Sequence, residues 1–140
     1  MSLYTKMEQE IKKEPTKSEL EILQVLWKSG PSTVRFVMGE LNKIRELNYT
    51  ATLKLMQLMV DKGTLKRDES RMQHVYYPVD DEKQVKAHLL DKFLENVYDG
   101  SASMLMMQLA GNKRVKPEEL RQMRELLDQL EKTDGQKEKK

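Results

Sequence analysis

The sequence predicts a mainly α-helical fold in which three helices and a two-stranded β-ribbon precede a second group of helices. Apolar residues recur at helical spacing in three segments before Gly63. Two short stretches rich in strand-forming residues follow that glycine, and helical spacing returns after residue 80. This order is typical of a winged helix-turn-helix. We therefore expect such a domain over residues 1–79, a helical domain over 80–132, and a charged tail over 133–140.

Composition favours a soluble chain with much of its length at a surface. Of the 140 residues, 38% are apolar and 34% are charged, which suits charged helices with narrow apolar stripes. The chain has no apolar run long enough to cross a membrane and no leader-like apolar stretch at its start. It has no Cys, which excludes disulfides and thiolate metal sites. We expect a cytoplasmic protein, and the net charge of +2 says little about its partners.

Two amphipathic segments open the chain after a polar lead-in over residues 1–15. Thr16 or Ser18 can cap the first helix, and Gly30 with the following proline ends it. A second helix begins at Ser32 or Thr33. Its apolar positions recur at helical spacing: Val34, Val37, Met38, Leu41 and Ile44.

The third helix has two distinct faces. We expect Thr50 to cap it and Gly63 to end it. At about 100° per residue, its apolar residues gather on one side and its polar residues on the other, with Leu53 and Leu58 at the flanks. A helix with an apolar back and a polar front is what recognition of base edges in the DNA major groove requires. The front consists of Thr50, Lys54, Gln57 and Asp61.

A short ribbon with basic residues follows the third helix. Residues 64–67 and 74–77 are predicted strands, and residues 68–70 are the turn between them. Lys66, Arg67 and Arg71 lie in this ribbon, where they can either solubilise a hairpin or contact phosphates. Phosphate contacts are the favoured interpretation because the ribbon directly follows the recognition helix.

The second half of the chain predicts three helices with more apolar surface than they can bury alone. The first spans about residues 81–98, the second covers 102–109 with three Met, and the third begins at Pro117. The economical solution is packing against a second copy of the chain, as in the C2 dimers that bind DNA. The expected interface residues are Leu89, Phe93, Val97, Met104, Met107, Leu120, Met123 and Leu127.

These segments resemble the penicillinase-repressor family of winged-helix repressors, which control beta-lactam-resistance or copper-homeostasis genes. The resemblance lies in SELEILQVLW, YTATLKLMQLMVDKGTL, VYYP and FLENVYDGS, and covers nearly all of residues 20–130. It implies a homodimer that binds a palindromic operator. By position, Thr50, Ala51 and Lys54 match the base-facing residues and Arg71 matches a wing-tip arginine. The entry to the second helix, with Thr33 and Arg35, is also shared.

Three departures from the family concern induction and DNA contact. Beta-lactam-responsive members are cleaved at an Asn-Phe bond, where this chain has Gln108-Leu109. Copper-responsive members use a cysteine cluster, which this chain lacks. Leu58 occupies a place where arginine is common. A regulatory protease or a sensor protein is a candidate partner.

The candidate site residues can also be interpreted without any DNA. Lys54 and Gln57 would read guanine and adenine in a groove, but either could be an ordinary solvated residue. A winged helix can also serve as a protein-interaction module, since fold does not fix function. Enzymatic motifs and cofactor sites are not evident, and His74 and His88 without Cys make a metal site improbable.

Overall fold

The computed structural model describes residues 14–138, with side chains as far as residue 135. Residues 1–13 of the predicted lead-in lie outside this range. The chain divides into two compact units between Leu89 and Leu90. This division falls inside a helix, ten residues after the boundary predicted at 79/80, and each unit is described here by itself.

Three helices form the body of the first unit, and each begins at a polar cap. They are α1 (Lys17–Ser29), α2 (Val34–Leu41) and α3 (Tyr49–Lys62). The side chains of Thr16 and Thr33 accept hydrogen bonds from backbone N–H groups of α1 and α2. Thr16 was one of the two predicted caps of the first helix, and Thr33 was one of the two predicted starting residues of the second. The cap of α3 is Asn48, which accepts from Ala51 N at 2.7 Å, so the prediction of Thr50 was wrong. Asn is at least as good a cap as Thr, and here it lies two residues earlier.

The second helix ends earlier than its apolar pattern predicted. It stops at Leu41, and Ile44, expected on its buried face, is 74% exposed. Asn42 provides the physical reason, because its side-chain oxygen accepts the backbone N–H of Leu47 at 2.7 Å. This bond folds residues 42–47 into a turn instead of a further helical turn.

The ribbon is antiparallel, and a backbone bridge to Ser32 joins it to the segment that precedes α2. Strands β1 (Leu65–Asp68) and β2 (Val75–Pro78) pair with Arg67 opposite Tyr76. Each strand lies one residue later than predicted, and the connection is a six-residue loop, residues 69–74, instead of a three-residue turn. Ser32 and Tyr76 exchange backbone hydrogen bonds of 3.1 and 2.9 Å. This bridge holds the ribbon beside the start of α2.

One apolar core holds the first unit together. Helices α1 and α2 pack on α3, and both strands pack on this helical body. Tyr76 is 1% exposed, so the ribbon contributes to the core and is not an appendage. The buried apolar residues are Ile22, Leu23, Leu26, Val34, Val37, Leu41, Met56, Met59, Leu65 and Tyr76.

The later helices bury far less. They are α4 (Glu82–Tyr98), α5 (Ala102–Ala110) and α6 (Pro117–Glu138). No residue from 82 to 135 is buried in this chain. Residues 133–138, predicted as a charged tail, are the last turns of α6. Among the described residues, no helix combines the length and hydropathy that a membrane crossing needs.

Candidate nucleic-acid interface

The exposed face of α3 carries the side chains that the sequence assigned to base contacts. Thr50, Ala51, Lys54 and Gln57 are all exposed, whereas Met56 and Met59 on the opposite face are buried. The helix therefore has the two faces that were predicted. The polar face of α3 is exposed to solvent in the first unit and can contact a ligand.

Local contacts define both ends of α3, and an ion pair ties its end to α1. At its start, Thr52 Oγ1 donates to Asn48 O at 2.9 Å, in addition to the Asn48 cap. At its end, Gly63 adopts a left-handed conformation with φ of 86°, which costs glycine little. Lys62 Nζ lies 2.9 Å from the buried Glu19 carboxylate of α1, so this cation is engaged within the fold.

The charge along the exposed face of α3 is uneven. Lys54 is the only cation in the middle of the face, and the exposed Asp61 lies on the same side near the end. A carboxylate repels DNA phosphates. The part of α3 that precedes Asp61, residues 49–58, therefore suits contact with DNA best.

The three basic residues of the ribbon have different surroundings. Lys66 and Arg71 are exposed. Arg67 is half-buried and donates from Nε to Glu69 at 2.8 Å. Hydrogen bonds with Tyr76 and then with Glu69 raise the pKa of the Arg67 guanidinium. Lys66 and Arg71 are thus the freer cations for phosphate contact.

The loop between the strands is held by a local turn. The Asp68 carboxylate accepts the backbone N–H of Ser70 at 2.9 Å. This bond, together with the Ser70 hydroxyl and the charge of Arg71, lowers the pKa of Asp68. Asp68 consequently orders the turn that carries Arg71.

A shallow hollow lies where the starts of α2 and α3 meet the ribbon loop. Thr33, Arg35, Tyr49, Met72 and His74 are among its lining residues. The Arg35 guanidinium lies 5.4 Å from the centre of the Tyr49 ring, which restrains that cation beside the start of α3. The hydroxyl of Thr33 is already used as a helix cap. Arg35 therefore lies close to the start of α3.

Sequence reasoning missed three features of this surface. The cap at Asn48 could have been found, because Asn before a helical pattern is a strong start signal. The stacking of Arg35 on Tyr49 joins two helices and has no local sequence signal. The 48% exposure of Leu58 was only partly foreseen, since helical spacing assigned that residue to a flank.

Within residues 14–138, His, Asp and Glu side chains do not cluster as a metal site would require. His74 is exposed at the edge of the hollow, and His88 lies in α4.

Comparison with known proteins gives a consistent result. A protein-family model described as "Penicillinase repressor" matches residues 15–129, which is most of the chain. A curated relative, the penicillinase repressor of Bacillus licheniformis, is 26% identical over 115 residues. That alignment covers 80% of this chain and 88% of the relative.

Proposed function

This chain belongs to the penicillinase repressor family, and we propose that it acts as a homodimer that binds a palindromic operator. The family consists of DNA-binding transcriptional repressors and not of enzymes, and this chain is assigned with them. Repression requires access to the chromosome, so we propose a cytoplasmic location.

The exposed edge of α3 is the observation that carries the DNA-binding part of the proposal. Lys54 and Gln57 project from a helix whose other side is fixed in the core. Lys suits the acceptors of guanine and Gln suits adenine in the major groove. Thr50 and Ala51, in the first turn, complete the proposed base contacts.

The residues around α3 supply the proposed backbone contacts. Lys66 and Arg71 on the ribbon would bind phosphates on one side of the helix. Arg35, restrained over Tyr49, would bind them beside its start, with Thr33 nearby. Arg67 is the weakest of the proposed contacts, because Glu69 already neutralises its charge. Phosphate contacts of this kind fix the position of the protein without reading sequence.

The exposed apolar side chains of the second unit support the homodimer. Phe93, Val97, Met104 and Met107 are 47–72% exposed, and Leu127 is 47% exposed. Residues 82–135 of these helices include no buried side chain, so their own packing cannot offset the conformational entropy lost when they become ordered. A second copy of the chain would cover these side chains, together with Leu89, Leu120 and Met123. It would also give two recognition helices for a symmetric operator.

A regulatory protease or sensor protein remains a proposed partner. Gln108 and Leu109 lie in the last turn of α5 at the place of the family's cleavage pair. Proteases bind their substrates in an extended conformation, so the helix around the cleaved bond must first unfold. Release by cleavage at this pair would therefore require local unfolding at the end of α5.

A mobility-shift titration tests the proposed function. The probe is the promoter region of the chain's own gene, and a shuffled fragment of the same composition is the control. We expect specific binding whose affinity falls steeply with salt, because phosphate contacts release counterions. Equal binding to both fragments, or affinity independent of salt, would contradict the proposal.

A further inference from the structure

Leu58 is an exposed apolar residue on the proposed recognition helix. It is 48% exposed, whereas Leu53 and Leu55 of the same helix are partly buried against the core. A single exposed leucine is ordinary on a protein surface. What distinguishes Leu58 is its position relative to the residues proposed to contact bases.

The exposed face of α3 has one polar edge and one apolar edge. At about 100° per residue, Leu58 lies roughly 40° from Lys54, and Ala51 lies roughly 60° away on the same side. Thr50 and Gln57 lie at similar angles on the other side of Lys54. A helix inserted with Lys54 toward the bases would therefore also present Leu58 to the groove.

The major groove offers one apolar group, the C5-methyl of thymine. We propose that Leu58, and Ala51 two turns earlier on the same edge of α3, contact thymine methyl groups and select T·A pairs in each operator half-site. This inference rests on the proposed function, because it needs α3 in the major groove. It adds a sequence preference that the polar side chains of α3 do not supply.

The size of the apolar edge favours this ligand over a protein partner. The edge consists of the Leu58 side chain and the single methyl of Ala51, and the charged Lys54 and Asp61 lie next to it on the helix. Protein partners bind apolar patches of a few hundred Å² or more. A thymine methyl is a partner of matching size.

The test compares thymine DNA with uracil DNA, which differ only in the methyl group. The probe is the promoter fragment of the chain's own gene, amplified with either dTTP or dUTP. The wild-type chain is expected to bind the thymine probe about fourfold more tightly for each methyl contact, as the burial of one methyl group implies. Each measurement is a dissociation constant at one salt concentration.

Three variants separate the role of Leu58 from effects on the DNA itself. Leu58→Ala should bring the thymine-to-uracil affinity ratio toward one, and Leu58→Met, which keeps an apolar side chain, should preserve it. Both replacements are good helix formers, so α3 is retained. Ile44→Ala is the control, since Ile44 is exposed beside α1 residues and not on α3. It should leave the ratio unchanged.

Each outcome decides a different claim. If the wild type binds both probes equally, or if Leu58→Ala keeps the full ratio, the thymine contact is overturned while specific DNA binding stands. If the wild type binds neither probe more tightly than shuffled DNA, the proposed function fails and the thymine contact fails with it.

Discussion

Glu19 and Lys62 form an ion pair across 43 positions of sequence, from the first turn of α1 to the last turn of α3. The Lys62 amine lies 2.9 and 3.1 Å from the two carboxylate oxygens. The pair is asymmetric, because the carboxylate is 5% exposed and the lysine side chain is 33% exposed. It fixes the end of the proposed recognition helix against the body of the fold.

Removing the two partners should have unequal effects on stability. Lys62→Met leaves a buried carboxylate without its partner and should lower the free energy of unfolding by about 2 kcal/mol. Glu19→Gln leaves an amine that can turn to solvent, so about 1 kcal/mol is expected. Urea denaturation at one fixed protein concentration measures both, and the double variant should lose less than their sum. Equal losses for the two single variants would contradict this asymmetry.

Two glycines in the first unit should respond to alanine with opposite signs. An added Cβ meets no atom within 4 Å at Gly63 or at Gly39. Gly63 has a φ of 86°, so Gly63→Ala should cost about 1 kcal/mol through backbone strain alone. Gly39 lies within α2, so Gly39→Ala should stabilise by about 0.5 to 1 kcal/mol. Thermal unfolding of the two variants compares them, and a stabilised Gly63→Ala variant would show that the left-handed cap is not formed.

The predicted fold is confirmed. It could be predicted because the sequence signals that specify its helices act locally. The Thr16 and Thr33 caps, the Gly63 stop and the apolar spacing of α1 and α3 each act within a few residues. The Asn48 cap was a local signal that was missed, and other errors arose where a more distant polar group decided the outcome. Asn42 captures the N–H of Leu47 and ends α2 early, and the Ser32–Tyr76 bridge anchors the ribbon from outside it.

The sequence was sufficient to predict which side of α3 is exposed, but not which basic residues form ion pairs. Helical spacing was sufficient to put Lys54 and Gln57 on the exposed side of α3. The Arg67–Glu69 pair joins residues two apart at the end of β1 and was missed, although side chains two apart in a strand lie on one side. No spacing rule could show that Lys62 is paired with the distant Glu19. These partners decide which cations are free for DNA, and the Lys62–Glu19 pair depends on tertiary packing.

Two basic residues should affect DNA binding in different ways. Lys54→Ala should weaken binding to the specific site by about 1 to 3 kcal/mol and relax selection at one base pair. Arg71→Ala should weaken binding to all sequences about equally and reduce the salt slope by about one. Titrations of specific and shuffled DNA at several salt concentrations measure both effects.

An exposed lysine in α1 is the control for these titrations. Lys28→Ala removes the same charge as Lys54→Ala from a helix outside the proposed interface. It should change neither the specificity nor the salt slope. A loss as large as that of Lys54→Ala would mean that overall charge, and not the α3 face, governs binding.

Charged substitutions in the second unit should separate the proposed dimer. Phe93 and Leu127 are each 47% exposed in the single chain. Phe93→Glu or Leu127→Glu would bury a carboxylate in the interface, which is costly without a partner. Light scattering should then report one chain per particle where the wild type has two. Gln122→Glu adds the same charge at an exposed polar position of α6 and should remain dimeric.

Selection of bound DNA from a random pool, with the full chain, tests the central claim most directly. Two recognition helices related by a two-fold axis should enrich a palindromic sequence. Its half-sites should lie about 10 base pairs apart, centre to centre, or a multiple of that distance. Enrichment of an asymmetric single site, or of no sequence at all, would contradict a homodimer that reads DNA with α3.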